Sequence, residues 1–461
     1  MTMTHHRTTH HRTTGRVHLG RTARLFAAAL ATGAVVVTLT VAPAQAADDP
    51  PEVSRGVTIP SFYDPPGTLP SQDGTLVRSE PLRLGAGLTL PGVGSLPGSA
   101  TRLMYTTTDS TGHTAAVTGA YIEPAARWSG GGTRPLAVVA PGTMGQGDQC
   151  APSLALEHPL TFNGETVSVG YEDVAVYRLL AQGVAVVVTD YVGLGTTDRL
   201  HTYVNRVDEA HAVLDAARAA RQVPGASVTS SSRVGLYGYS QGGGATAAAA
   251  ELRTSYAPDV NLVGSYVGAP PADLVATAKG IDGSALAGAL GWTLNGLVQA
   301  YPALGPVVDG YLDAKGRAAL ADLATACTGD AVFGHGFEHT SSWTSDGESL
   351  SQIIAKEPAV QAVVAAQKIG DRTPYGAVRV ATGTQDDIVP HAQARQLAVS
   401  WCQRGGDVTY VPVILPNLGD KLLTNHLAPL LADQGDAVAW LTKRLSGSST
   451  SSNCWSMPLQ P

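Results

Sequence analysis

Gly238-Tyr239-Ser240-Gln241-Gly242 is the most chemically informative stretch of this 461-residue chain. It lies between an apolar run from Arg233 to Tyr237, expected as a strand, and an alanine-rich run from Gly244 to Leu252, expected as a helix. A serine on a sharp strand-to-helix turn has the context of a nucleophile elbow. Small residues flank the serine so that neighbouring backbone can approach. The helix N-terminus then faces the negative charge that develops on the substrate. The five-residue pattern alone is a weak signal in a chain with 52 glycines. The strand before it and the helix after it make Ser240 the candidate nucleophile.

A serine hydroxyl is a poor nucleophile without a base. In this context the partners follow in the order serine, acid, histidine. The acid is sought in Gly383-Thr384-Gln385-Asp386-Asp387-Ile388-Val389-Pro390, directly after an expected strand from Ala377 to Thr382. The pattern Gly-x-x-Asp-x-x-Val-Pro selects Asp386, with Asp387 as the alternative. The base is expected at His426, in a loop after the strand Val408 to Leu415 and before a final helix from Leu427 to Leu445. His391 begins a helix and ranks second. The oxyanion of an acyl-transfer intermediate needs backbone N–H donors. Gln241 supplies one, and Thr143 in the loop Pro141 to Gly145 is chosen for the other, ahead of Gly142.

Other candidates carry less. Asp190-Tyr191-Val192-Gly193-Leu194-Gly195 follows a buried strand and reads as a structural turn near the pocket. His201, His211, His335 and His339 lack metal-ligand spacing, and the glycine runs lack the lysine of a phosphate loop. No metal or organic cofactor is expected.

The elements that must position these residues follow from periodicity. Leu136 to Ala140, Val184 to Thr189, Arg233 to Tyr237, Leu262 to Val267, Ala377 to Thr382 and Val408 to Leu415 read as buried strands. Helical spacing is found at Val167 to Gln182, Val207 to Val223, Gly244 to Leu252, His391 to Gln403 and Leu427 to Leu445. This alternation predicts an α/β fold with a mostly parallel central sheet covered on both faces. Leu103 to Tyr105 and Ala116 to Ile122 predict an outer antiparallel part. The alternation breaks between Pro271 and Thr373, where helical patches occur at Ala285 to Gln299, Ala314 to Ala326 and Leu350 to Ala366. The expected organisation is a leader over 1–46, a first core part over 47–270, a helical cap over 271–373 and a second core part over 374–461.

The leader carries Arg16, Arg21 and Arg24, an apolar run from Leu25 to Ala42, and Ala44-Gln45-Ala46. This is the order of a secretory signal peptide cleaved after Ala46. Its five arginines and absence of acids mean that removal takes the formal charge from −7 to −12. So acidic a protein is a poor nucleic-acid binder, because phosphate contacts need Lys and Arg. No obligate protein partner is evident. Cys150, Cys327, Cys402 and Cys454 are an even set in an exported chain, which suggests two disulfides with three connectivities open.

Taken together, Phe62-Tyr63 with Pro65-Pro66, Cys150-Ala151-Pro152-Ser153, Asp190-Tyr191 with Gly193-Leu194-Gly195, Gly238 to Gly242, and Gly383 to Pro390 resemble the secretory lipase family of the α/β-hydrolase superfamily. The likeness spans most of the chain after the leader. It implies an extracellular ester hydrolase with a helical cap and a triad at Ser240, Asp386 and His426. It also implies the pairs Cys150–Cys327 and Cys402–Cys454. The expected activity is lipase or carboxylesterase action on acylglycerols or other lipid esters, with transient contact at lipid interfaces. Many relatives have His-Gly where this chain has Pro141-Gly142, and with five Phe in all, an acyl tunnel here would be lined by Leu, Val and Ala. Two readings compete: an acyltransferase on the same triad, and a non-catalytic binding protein of the same fold.

Overall fold

The computed structural model describes residues 52–90 and 94–461. The expected signal peptide lies outside them. In chain order, β1 (Val53–Ser54) and β2 (Val57–Thr58) form a short hairpin, β3 (Leu76–Leu82) follows, and β4 (Leu88–Leu90) pairs with β5 (Gly94–Leu96). Then come β6 (Gly98–Thr108), β7 (Thr114–Pro124), β8 (Leu136–Ala140) and α1 (Pro152–Glu157). A hairpin of β9 (Leu160–Phe162) and β10 (Val167–Val169) precedes α2 (Asp173–Ala181), β11 (Ala185–Val192) and α3 (Arg206–Ala220). Next are β12 (Val234–Tyr239), α4 (Gln241–Tyr256) and β13 (Leu262–Gly268).

A helical segment runs through α5 (Leu274–Ile281), α6 (Ala289–Ala300), α7 (Gly305–Tyr311), α8 (Ala314–Leu323), α9 (Thr328–His335), α10 (Leu350–Lys356) and α11 (Pro358–Ala366). The chain closes with β14 (Ala377–Gly383), α12 (His391–Gln403), β15 (Asp407–Val413) and α13 (Thr424–Leu445).

Nine strands make one sheet in the order β15-β14-β13-β12-β8-β11-β7-β6-β3. From β15 to β11 neighbouring strands are parallel; β7, β6 and β3 add an antiparallel edge. Period-two alternation sends the residues of β8 to two cores. Leu136, Val138 and Ala140 join the alanine-rich faces of α3 and α4, whereas Ala137 and Val139 meet Leu179 of α2 and Leu430, Val438 and Leu441 of α13. Every residue of β8 is buried, which explains its unbroken apolar run. Burying each such Val or Leu side chain contributes about 1.5–3 kcal/mol. The helices between β13 and β14 have a core of their own around Trp292, Leu323 and Trp343. That core also takes in Tyr203, Val204, Ile388 and Val389 from the sheet's loops.

Three departures from the periodicity have a local physical cause. The helix expected over Val167 to Gln182 is split, because β-branched Val167 and Val169 pair with Phe162 and Leu160, and Gly170 intervenes before α2 begins at Asp173. The helix expected from Leu350 to Ala366 breaks at Glu357. This residue precedes Pro358 and is extended (φ −97°, ψ 106°), since a proline ring disfavours helical geometry in the residue before it. The last helix starts at Thr424, so His426 sits in its first turn and not in a loop. Leu423 occupies the capping position in a left-handed conformation without a side-chain cap, which leaves no sequence signal for the start. Cys150 pairs with Cys327 (Cα–Cα 5.4 Å) and Cys402 with Cys454 (5.5 Å).

Candidate active site

Ser240 stands at the C-terminal end of β12 with φ 57° and ψ −123°, a conformation that L-residues adopt only under constraint. The constraint comes from both sides. Its N–H donates to the Gly268 carbonyl on β13 at 2.9 Å, and α4 begins with the next residue. The flanking glycines are required by close approach. A methyl group on Gly242 would collide with the Ala140 carbonyl, and one on Gly238 with the Gly242 carbonyl.

His426 brings its imidazole to this serine from α13. Ser240 Oγ–H donates to His426 Nε2 at 2.9 Å, and His426 Nδ1–H donates to Asp386 Oδ2 at 2.7 Å, the tautomer being set by these partners. Asp386 and His426 are both buried. The other oxygen of Asp386 accepts the N–H groups of Ile388 (3.1 Å) and Val389 (3.0 Å), which fixes the carboxylate in its loop. Asp387 points elsewhere: its Oδ2 accepts the Lys421 N–H at 2.6 Å. His391 pairs with the Tyr410 hydroxyl at 3.2 Å. The histidine's placement is reinforced by Tyr239, whose hydroxyl donates to the His426 carbonyl at 2.7 Å, and by the buried pair of Arg379 on β14 with Asp433 on α13.

The loop after β8 is held by its neighbours. Tyr191 donates to the Pro141 carbonyl at 2.7 Å, and the Thr143 carbonyl accepts from Tyr171 (3.1 Å) and Thr328 (2.8 Å). Gly142 N–H donates to Glu172 Oε1 at 3.0 Å and is thereby occupied. Burial raises Glu172 to about 7, against the lowering effect of that hydrogen bond. Among the described residues, the N–H groups of Thr143 and Gln241 donate to no protein acceptor. Gln241 opens α4, where the first N–H groups of a helix have no intrahelical partner.

Asp190 is fully buried and joins three separated motifs. It accepts from the Ser153 N–H (2.7 Å), from the Ser153 hydroxyl and from Thr118 (2.8 Å), and Tyr63 meets the same Ser153 hydroxyl at 2.6 Å. Burial raises Asp190 to about 6, offset in part by these bonds.

Ser240 and Gln241 line a cavity walled also by Leu274, Ile281, Leu290, Ile354, Val389 and Tyr203. A second apolar cavity, reaching Leu304, Val308 and Trp343, shares Leu294, Leu297, Leu350 and Val360 with the first. An almost wholly apolar lining thus extends from the serine into the helical segment. Periodicity had no means of finding Tyr203, His201, Glu209 or Glu172. Charge does not single out Glu209 either, since Asp208 and Asp215 are buried in the same alanine-rich stretch of α3.

A strained serine at the end of a central parallel strand, with helices on both faces and a histidine and carboxylate behind it, defines an α/β-hydrolase. The secretory lipase family model matches residues 156–453, and the chain belongs to that family. A Mycobacterium tuberculosis protein named a probable inactive lipase is 30% identical over 390 residues, covering 84% of this chain and 82% of that protein. A secreted triacylglycerol lipase of Malassezia furfur is 27% identical over 267 residues, covering 57% and 68%. In structure the chain resembles Candida antarctica lipase A in its closed state, with a TM-score of 0.70 and 21% identity over 85% of this chain and 88% of that one.

Proposed function

We propose that this protein is an exported serine ester hydrolase acting on acylglycerols or similar lipid esters. The observation that carries the reading is the unbroken hydrogen-bond line from Ser240 Oγ through His426 to Asp386. In the proposed mechanism His426 Nε2 takes the Ser240 proton as Oγ attacks the ester carbonyl. Asp386 holds the imidazole tautomer and stabilises the imidazolium. The N–H groups of Gln241 and Thr143 take up the oxyanion. The alcohol leaves with a proton from His426; water, deprotonated by the same imidazole, then attacks the acyl-serine, and His426 returns that proton to Ser240 Oγ as the acid is released.

The apolar lining beside Ser240 supports an acyl chain as the group accepted. Family membership and the two disulfides support export. The inactivity in the name of the mycobacterial relative is a statement about that protein. Here the serine, histidine and carboxylate are all present and in register.

The test is hydrolysis of p-nitrophenyl esters from acetate to palmitate by the wild type and by Ser240→Ala, with fluorophosphonate labelling of both. Cleavage of medium or long chains by the wild type alone supports a lipid esterase. Cleavage of acetate and butyrate only would keep the chemistry and remove the lipid assignment. A folded wild type that neither cleaves nor labels would leave a non-catalytic binding protein as the better reading.

A further inference from the structure

The two N–H groups proposed for the oxyanion come from different elements, the loop after β8 and the start of α4. One short segment, His201 to Glu209, reaches both. The Gln241 side-chain amide is buried and donates both its hydrogens, one to Glu209 Oε1 at 2.8 Å and one to His201 Nε2 at 3.0 Å. Two residues from His201, the Tyr203 hydroxyl meets Thr143 Oγ1 at 2.7 Å.

The segment is itself anchored. His201 Nδ1–H donates to the Val192 carbonyl at 2.8 Å, which leaves Nε2 as an acceptor for Gln241. Glu209 Oε1 also accepts the Val204 N–H at 2.9 Å, so the carboxyl closes the turn that carries Tyr203. Gln146 donates to the His201 carbonyl at 2.9 Å. Tyr203 packs edge-on against Trp292 of α6, ring centroids 5.8 Å apart, and Gly296 of α6 lies directly over the Tyr203 backbone. Burial favours neutral forms of both groups that hold Gln241: it lowers His201 to about 4 and raises Glu209 to about 8. Neutral partners place no full charge beside a developing oxyanion.

We propose that His201, Tyr203 and Glu209 are positioning residues that set the spacing of the two oxyanion donors, by gripping Gln241 and Thr143 from a single segment. This rests on the ester-hydrolase reading above. Releasing one grip leaves the donors present but free to shift. An electrostatic contact made to a transition state is steep in distance, and displacement by about 1 Å can cost roughly a hundredfold in rate.

The experiment compares wild type, Tyr203→Phe, Glu209→Ala and Glu209→Gln on a p-nitrophenyl ester the wild type cleaves. Rates are expressed per active site titrated by the acyl-enzyme burst. Tyr203→Phe keeps the ring against Trp292 and in the cavity wall, so it serves even if Glu209→Ala fails to fold. We expect Tyr203→Phe and Glu209→Ala to lower kcat per titrated site by roughly ten- to a hundredfold with KM within about twofold. Glu209→Gln, which keeps an oxygen acceptor for Gln241, recovers most of that loss. A residue that merely supports the fold would lower the number of titrated sites or the Tm and leave kcat per site unchanged. That result in an active enzyme overturns the grip alone. An inactive wild type overturns the hydrolase reading and the grip with it.

Discussion

Asp386 and His426 meet at 2.7 Å across forty positions of sequence, while Asp387, the very next residue, turns away to the Lys421 N–H. The difference arises in the loop after β14, where the second oxygen of Asp386 is fixed by two backbone N–H groups. The two adjacent carboxylates therefore have separable roles. Asp386→Asn should lower kcat by about 10³–10⁴-fold, because the imidazole loses the acceptor that sets its tautomer. Asp387→Ala should lower it by no more than roughly tenfold, the worth of one hydrogen bond. Steady-state kinetics of the two variants decides; equal losses would contradict the assignment.

Arg379 and Asp433 tie the helix that carries His426 to β14, and both are buried. Asp433→Ala should destabilise the protein by about 3–5 kcal/mol, since it strands an uncompensated cation. Replacing both partners with apolar residues should recover much of that loss. Urea unfolding of the single and double variants measures it.

Cys150–Cys327 links the segment after β8 to α9 and spans 177 residues of sequence. A double Cys→Ala variant should lose about 3–5 kcal/mol, the upper part of the range for disulfides closing long loops. It should also lower kcat more than the corresponding loss of Cys402–Cys454 does. Thr328, next to Cys327, donates to the Thr143 carbonyl through its hydroxyl and to the Met144 carbonyl through its N–H, and so steadies the loop bearing the proposed oxyanion donor Thr143. Thermal melts and activity of the two variants compare the links.

Stability should fall as pH rises from about 6.5 to 8.5. Asp148 is raised from 3.8 to about 8, first by burial and then by the nearby Glu52 carboxylate, and burial takes Glu209 from 4.5 to about 8. A carboxyl raised on folding favours the native state while it is protonated. Its contribution is complete below the unfolded value and is lost as pH climbs through the folded one. His201, lowered from 6.5 to about 4, acts in the opposite sense, but its window closes at 6.5. Asp148→Asn should therefore raise the Tm at pH 8.5 and flatten the decline. A Tm that rises over this interval in the wild type would contradict the assignment.

Much of this molecule can be read from local pattern. Unbroken apolar runs such as Leu136 to Ala140 are short-range signals of burial on both faces, and their alternation with helices specifies a parallel α/β sheet. The serine between a strand and a helix, and the order of the acid and histidine after it, follow from the same one-dimensional record. Tertiary structure decided matters that depend on partners far apart in sequence. A sequence pattern favours Asp386 over Asp387, but which carboxylate faces His426 is a question of loop geometry. His426 lies in a helix that no cap announces. Sequence ranks Thr143 ahead of Gly142, but what separates them physically is Glu172, 30 residues on from Gly142: it occupies the Gly142 N–H, while the Thr143 N–H meets no acceptor among the described residues. The hold of His201, Tyr203 and Glu209 on the two donors has no periodic signature. Hydrogen bonds between side chains are set by where packing brings their atoms to within about 3 Å, and nothing in the spacing of residues along the chain encodes that distance.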